Sequence, residues 1–222
     1  MIVGLVGWIG SGKNTVANIL TEKHNFNPDS FAAPLKDATA NIFNWPRKTL
    51  EGDTDHSRHF RECVDQWWQS KLNIKHFTPR LALQIVGTEL FRDHFHHEIW
   101  LNSLENRYIS AGKKLTVVTD CRFRNEIQFI KNLGGFTIRV KRGPDPHWTT
   151  LAEEAQQGDE FAEQQLADIG IHKSEWDHSG APVDFIVTND GSLEQLHDKV
   201  NSVMKVLKSV TGAKRQKQAT HF

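Results

Sequence analysis

Cysteine is nearly absent: Cys63 and Cys121 are the only two in a chain of 222 residues. That excludes a disulfide framework and a four-cysteine zinc site, and it suits a reducing, cytoplasmic setting. Neither charge is in excess, since 27 Lys+Arg stand against 27 Asp+Glu for a formal net charge of +0. A protein that coats nucleic acid by neutralising phosphates needs a basic surplus, so nucleic acid is not an expected partner. No apolar run approaches the ~20 residues of a bilayer-spanning helix, so no membrane role is expected. Met1-Ile2-Val3-Gly4-Leu5-Val6-Gly7 lacks the basic start of a secretory leader. Internal repeats and low-complexity tracts are missing as well. A chain this long buries about 70% of its unfolded surface and needs no covalent staple.

What is present is an alternation of short apolar runs with amphipathic stretches. Ile2–Val6, Leu115–Asp120, Phe136–Val140 and Val183–Thr188 read as strands, the first apolar on both faces and the second of a buried type. Helical spacing follows three of them: Val16, Ile19 and Leu20; then Ile127, Ile130 and Leu133, stopped by Gly134-Gly135; and finally Leu193, Leu196, Val200, Val203 and Leu207. Strands alternating with helices predict an α/β protein, a parallel sheet covered by helices on both faces in three layers. Two helical excursions interrupt the pattern, at 45–110 and at 142–180. The expected organisation is one domain over 1–210, with its core in 1–44, 111–141 and 181–210. A basic tail, 211–222, carries Lys214, Arg215 and Lys217 and is expected to fray.

The strongest signal is Gly7-Trp8-Ile9-Gly10-Ser11-Gly12-Lys13-Asn14-Thr15, set between a predicted strand and a predicted helix. Glycines let the main chain curl so that successive N–H groups point at phosphate oxygens. The helix that follows aims its positive end at the same place. Gly10, Ser11, Gly12, Lys13, Asn14 and Thr15 are therefore read as binding a nucleoside triphosphate, with Lys13 following the charge as it transfers. The usual Ser or Thr after the lysine, a magnesium ligand, is replaced by Asn14, whose carbonyl oxygen or a bridging water takes that role. No Asn-Lys-x-Asp guanine signature occurs.

Other candidates lie at strand ends, where open α/β sheets bind ligands. Asp120 can hold magnesium or accept the acceptor's proton. Arg122, Arg124, Asn125 and Glu126 open the next helix, and guanidinium forks match phosphate oxygens. In the first excursion Pro79 is placed to begin a helix on which Arg80, Gln84, Gly87 or Thr88, and Arg92 share a face suited to a base and a monophosphate. Gly87 there suggests close approach of a ligand or another backbone. Lys36 lies in the first turn after Pro34. Arg142, directly after a strand, is the first choice for a charge carried by a closing lid, with Arg139 second. Asn189-Asp190-Gly191 is read as a loop beneath the adenine ring. His94, His96, His97 and Glu98 splay around a helix axis and are not read as a metal site, and Trp67-Trp68 are read as packing.

In chain order, Gly10–Thr15, Phe31-Ala32-Ala33-Pro34-Leu35-Lys36, Leu83–Glu89, Asp120-Cys121-Arg122-Phe123-Arg124-Asn125-Glu126, His172-Lys173-Ser174-Glu175 and Asn189-Asp190-Gly191 resemble the deoxynucleoside monophosphate kinases of tailed bacteriophages. The resemblance runs from 4 to about 200. It implies an adenylate-kinase-like P-loop fold in which 45–110 binds the monophosphate and 142–180 is the lid. It implies ATP as donor, Mg2+, and transfer of the γ-phosphoryl group to a deoxynucleoside monophosphate in DNA precursor supply, in the host cytoplasm for a phage-encoded chain. By matching position, Lys13, Asp120 and Arg142 become catalytic candidates, Asn14 and Asp120 metal candidates, and Asn189 a donor-site candidate. Lys36, Arg80, Gln84, Thr88, Arg122, Asn125 and Glu175 become acceptor candidates. The sequence alone also admits a small-molecule kinase of the dephospho-coenzyme A or phosphomevalonate type, or an ATP-binding protein associated with nucleic acid. It is compatible with a homodimer without deciding it.

Overall fold

The computed structural model describes residues 1–219, with side chains described to 212. Its strands are β1 (Ile2–Val6), β2 (Asn27–Asp29), β3 (Thr116–Cys121), β4 (Phe136–Lys141) and β5 (Phe185–Thr188). Its α-helices are α1 (Lys13–His24), α2 (Ala33–Phe43), α3 (Asp55–Glu62), α4 (Gln66–Leu72), α5 (Pro79–Gln84), α6 (Ile99–Ser110), α7 (Arg124–Asn132), α8 (Thr149–Gln156), α9 (Glu160–Asp168), α10 (Lys173–Trp176) and α11 (Leu193–Ala219). The chain divides into two compact units, one made of 1–28 and 113 onward, the other of Asp29–Gly112.

The first unit holds the sheet, in the order β2-β3-β1-β4-β5. β1 pairs in parallel with β3 and β4, and β4 pairs in parallel with β5. Helices cover both faces of this sheet, so the unit is a three-layer α/β structure. β1 is buried along its whole length because both of its faces are covered. Val3 and Leu5 point into a core shared with Val16, Ile19 and Leu20 of α1 and Val200, Met204 and Leu207 of α11. Gly4 faces the other way, where an added Cβ would meet Cys121 Sγ at 2.8 Å and Ile130 of α7 at 3.2 Å. Four strands were expected, and β2 is a fifth. Asn27, Pro28 and Asp29 have poor strand propensity, and main-chain pairing places them: Asn27 N–H donates to Leu115 O at 2.8 Å. Proline is tolerated because the strand is at the edge.

α7 stops where the glycine pair predicts. Gly134 takes φ +73°. Gly135 N–H donates to Ile130 O at 3.0 Å and Gly134 N–H to Lys131 O at 2.9 Å, the paired bonds of a Schellman cap. Gly135 is held by space rather than by its φ. A Cβ there would lie 2.5 Å from Ile2 Cγ2, 2.6 Å from Ile2 O and 2.8 Å from Ile130 O. Gly135→Ala is expected to destabilise the protein by about 3 kcal/mol, since two of these three atoms are backbone. A urea midpoint equal to wild type would refute this.

Within the helical excursion at 142–180, α8 and α9 are separate helices. Gly158 adopts φ +95° between α8 and α9, and the Asp159 carboxylate caps α9 by accepting from Phe161 and Ala162 N–H. Ala152, Ala155, Ala162, Leu166 and Trp176 form a small core of their own. α11 runs to Ala219, and the fraying expected of 211–222 falls largely on residues outside the described side chains. The basic side chains Lys214, Arg215 and Lys217 lie outside the described residues. No helix among the described residues is long and apolar enough to cross a membrane.

The second unit is helical and built on Ala40, Trp45, Leu50, Phe77 and Ala82. Trp45 stacks on Phe43 at 4.6 Å. Trp68 Nε1 donates to Phe43 O at 3.0 Å, which makes Trp68 a packing residue. Its neighbour Trp67 is exposed. The expected boundary at 45 falls inside this unit, because α2 contributes Ala40 to that core. Pro79 opens α5 as expected, but α-type bonding ends at Gln84. From Ile85 to Phe95 the helix widens into π geometry, so the three-to-four residue spacing of Arg80, Gln84, Thr88 and Arg92 does not persist along it. Gly87 gives room to protein: a Cβ would sit 2.6 Å from Leu35 Cδ2, and its carbonyl accepts from Trp100 Nε1 at 2.8 Å.

Candidate active site

The loop after β1 is a cradle that only glycine can form at three points. Gly7, Gly10 and Gly12 have φ of +146°, +77° and +98°. A Cβ on Gly7 would strike Val140 O at 2.3 Å, and one on Gly12 would strike Asn189 Nδ2 at 2.2 Å. Side chains would therefore push the loop off β4 and off the segment after β5. Ser11 is 3% exposed, and its Oγ has no hydrogen-bond partner. A buried hydroxyl left unpaired beside curled main chain at a helix start fits a phosphate oxygen.

Lys13 begins α1 and folds back over this loop. Its Nζ donates to Gly7 O at 2.7 Å and to Trp8 O at 2.9 Å. Burial, and then the charge of Arg122, pull its pKa down to about 8, while Asp120 and Cys121 work the other way. Asp120 owes its place to a bulge. Between Gly4↔Val118 and Val6↔Cys121, β3 uses one more residue than β1. The extra residue falls at 119–120 and re-aims the strand end. Arg122 is fixed through its main chain: the Glu126 carboxylate, 2% exposed, accepts from Arg122 N–H at 2.7 Å and from Phe123 N–H at 3.1 Å. The Cys121 thiol is pushed well up, first by burial and then by Glu126 and Asp120, and stays neutral.

The region after β4 closes on the loop through Trp8. Trp8 Nε1 donates to Asp145 Oδ1 at 3.0 Å. Its ring meets Trp148 edge-on at 5.0 Å and His178 at 4.5 Å. The 176–181 turn is held from below. Arg139 Nη2 donates to His178 O at 3.0 Å and to Ala181 O at 3.1 Å, and Arg124 donates to Ser179 O and, through its N–H, to Asp177 Oδ2. Arg139 and Arg124 thus brace the turn. Arg142 is exposed at the end of β4.

The structure therefore brings together Ser11, Lys13, Asp120 and Arg122 around one loop. Asn14 is exposed and Thr15 half-buried, both in the first turn of α1. Asn189 braces the loop: its Nδ2 donates to Ser11 O at 3.0 Å and its N–H to Lys141 O at 2.7 Å. Asn125 is exposed in α7, and Glu175 is half-buried in α10 behind His172, which caps that helix. Lys36, Arg80, Gln84 and Thr88 all belong to the second unit. There Lys36 pairs with Glu51 at 2.6 Å and Arg80 with Glu62. Trp8 and His178 were missed by sequence reasoning; neither a tryptophan inside a glycine loop nor a lone histidine in a polar stretch signals burial.

Oxygen donors such as the Asn14 carboxamide and the Asp120 carboxylate suit a hard cation. Among the described residues no group of three His, Cys, Asp or Glu forms a metal cage, and Mg2+ characteristically keeps waters and phosphate oxygens instead of such a cage.

Comparison with known proteins adds a separate line. The family model described as deoxynucleotide monophosphate kinase matches residues 47–200. A protein of Acanthamoeba polyphaga mimivirus that carries the family's name is 33% identical over 156 residues, 64% of this chain and 74% of that protein. The deoxynucleotide monophosphate kinase of Enterobacteria phage T4 is 26% identical over 149 residues, 64% of this chain but only 48% of the phage protein. Among solved structures, a dephospho-CoA kinase from Campylobacter jejuni is similar at a TM-score of 0.46 and 17% identity, covering 95% of this chain and 98% of that one. With a family model matching well over half of its length, this chain belongs to the deoxynucleotide monophosphate kinase family.

Proposed function

We propose that this protein transfers the γ-phosphoryl group of ATP to a deoxynucleoside monophosphate, giving ADP and a deoxynucleoside diphosphate. The observation that carries the donor half is the cradle itself: three positive-φ glycines, an unpaired buried Ser11 hydroxyl and a lysine held over them. This cradle lies outside the 47–200 match, so it supports a triphosphate donor independently of that match.

Phosphoryl transfer asks little covalent work of a protein and much positioning and charge stabilisation. The Gly10–Lys13 main chain and the end of α1 bind the triphosphate. Lys13 leaves the Gly7 and Trp8 carbonyls for phosphate oxygens and moves with the transferring charge. Arg122, set by Glu126, adds a second positive group, and Asp120 is the carboxylate positioned to accept the acceptor's proton. Mg2+, with Asn14 and Asp120 as candidate ligands, supplies screening of phosphate charge. Lys36, Arg80, Gln84 and Thr88 on the second unit, with Arg122, Asn125 and Glu175, are the proposed acceptor-binding set, and Arg142 the proposed lid charge. Asn189 acts at the donor site by bracing the loop. The proposed setting is the cytoplasm.

A survey of acceptors with ATP and Mg2+, read as ADP release, tests the reading. Turnover is expected with at least one deoxynucleoside monophosphate and not with dephospho-coenzyme A or phosphomevalonate. ATP hydrolysis stimulated by nucleic acid in the absence of a small acceptor would overturn it.

A further inference from the structure

His178 lies outside every motif above, yet it is among the most enclosed polar side chains in the molecule. It is 3% exposed, and its Nδ1 has no hydrogen-bond partner. Next to it the Ser179 hydroxyl, 1% exposed, is also unpaired. Burying such groups unpaired carries a penalty that native structures rarely accept without a ligand or a bound water. The main chain here is not at fault, since the carbonyls of His178 and Ser179 are taken by Arg139 and Arg124. The turn is thus rigidly placed, while His178 Nδ1 and Ser179 Oγ lack hydrogen-bond partners.

The surroundings say what kind of partner is missing. The His178 ring rests on Trp8 at 4.5 Å, inside the phosphate cradle. Three cations act on its charge: Arg139 from β4, Lys13 from α1 and Arg122 after β3. Burial first, then Arg139 and Lys13 and, more weakly, Arg122 lower its pKa to about 3 against a raising contact of the ring with its own main chain, so the imidazole is neutral near pH 7. A neutral ring with an unpaired ring nitrogen, under the charges of Lys13 and Arg122, is suited to share an anion with those two groups. It adds a directional hydrogen bond without adding a fourth repelling charge.

We propose that His178, through Nδ1–H, hydrogen-bonds a phosphate oxygen of a nucleotide bound in the cradle, and so is a direct ligand of the reacting phosphates. The assignment rests on the kinase reading above and extends it to a residue from the lid's base. It requires the Nδ1–H tautomer, because a lone pair there would repel the anion. The phosphate belongs either to the donor or to the acceptor.

The test is 15N NMR of the imidazole nitrogens of the full chain, with the His178 signals identified by their loss in His178→Ala. A non-hydrolysable ATP analogue with Mg2+ is added in one arm and a deoxynucleoside monophosphate in the other, with binding heat measured in parallel. The Nδ1 signal is expected to be of the protonated type and to shift in one arm, which identifies the source of the phosphate. Kinetics give a second readout. His178→Asn places an amide N–H near the Nδ1 position and is expected to keep kcat/KM within about threefold. His178→Gln and His178→Ala are expected to lose about 10- to 100-fold, the range for a hydrogen bond to a charged group. A merely structural histidine would not give this Asn-over-Gln order. Binding heat with an unmoved Nδ1 signal in both arms overturns the assignment, as does His178→Ala at wild-type kcat/KM. Analogue binding that shifts Nδ1, in a protein that phosphorylates no acceptor, would sink the kinase reading and leave the His178 contact standing.

Discussion

Replacing Lys13 with alanine is expected to lower turnover by at least about 10²-fold while leaving the thermal midpoint close to wild type. Removing one preorganised group that stabilises developing charge typically has an effect of that size. The fold has little at stake in this side chain, because among the described residues its Nζ bonds the Gly7 and Trp8 carbonyls of the same loop. A pH signature accompanies the loss. Burial and Arg122 hold the Lys13 pKa at about 8 before nucleotide arrives. Above that value the free enzyme sheds the charge that phosphate needs, so kcat/KM for ATP is expected to fall about tenfold per pH unit from roughly pH 8 upward. Bound phosphate raises the same pKa, so kcat holds to higher pH. In Lys13→Ala the alkaline limb of kcat/KM disappears. A kcat/KM profile flat through pH 10, or an alanine variant with wild-type turnover, would remove Lys13 from the reaction.

The parts of this molecule legible in its sequence are those in which local pattern and final structure agree. Ile2–Val6 is apolar on both faces and lies in mid-sheet; the glycine run that follows can do little but curl; Gly134-Gly135 stops a helix by conformation and by space. Each depends on a few neighbours in sequence. What was not legible depends on distant partners. β2 is a strand because Leu115 accepts its main chain, not because Asn27, Pro28 and Asp29 favour extension. Asn189-Asp190-Gly191 was read as a loop beneath the adenine ring, and nothing local shows that the Asn189 amide also braces the Ser11 carbonyl 178 residues away. The widening at Ile85 has no signature in Ile-Val-Gly-Thr-Glu, and it undoes a polar stripe drawn at α spacing. Arg124 and Arg139, read as phosphate or lid charges, spend their forks on carbonyls of the 176–181 turn. An arginine at a strand end serves an anion or a chain reversal equally well, and only the packed structure distinguishes them.

Acid should unfold this protein in a way that one histidine dominates. His178 has a folded pKa of about 3 against an ordinary 6.5. The unfolded chain therefore binds a proton that the native protein refuses throughout the window between these values. Stability is full above pH 6.5, declines as pH falls through the window, and stops declining on this account near pH 3. From pH 7 to pH 4 the loss from this group alone amounts to about 3 kcal/mol, at 1.36 kcal/mol per pKa unit. That is a large share of a typical domain's margin. Asp145 and Glu51, whose carboxyls sit below their ordinary values beside Lys141 and beside Lys36 and Arg47, add acid sensitivity of the same sign. A wild-type curve alone thus does not isolate the histidine. His178→Asn does, because it keeps a polar side chain of similar reach and cannot titrate. Urea denaturation at pH 7 and pH 4 should show the variant losing about 3 kcal/mol less than wild type over that interval. Parallel losses in the two proteins, or an NMR titration in which His178 takes up its proton near pH 6.5 in the folded state, would mean that the three cations and the burial around this ring do not hold it neutral.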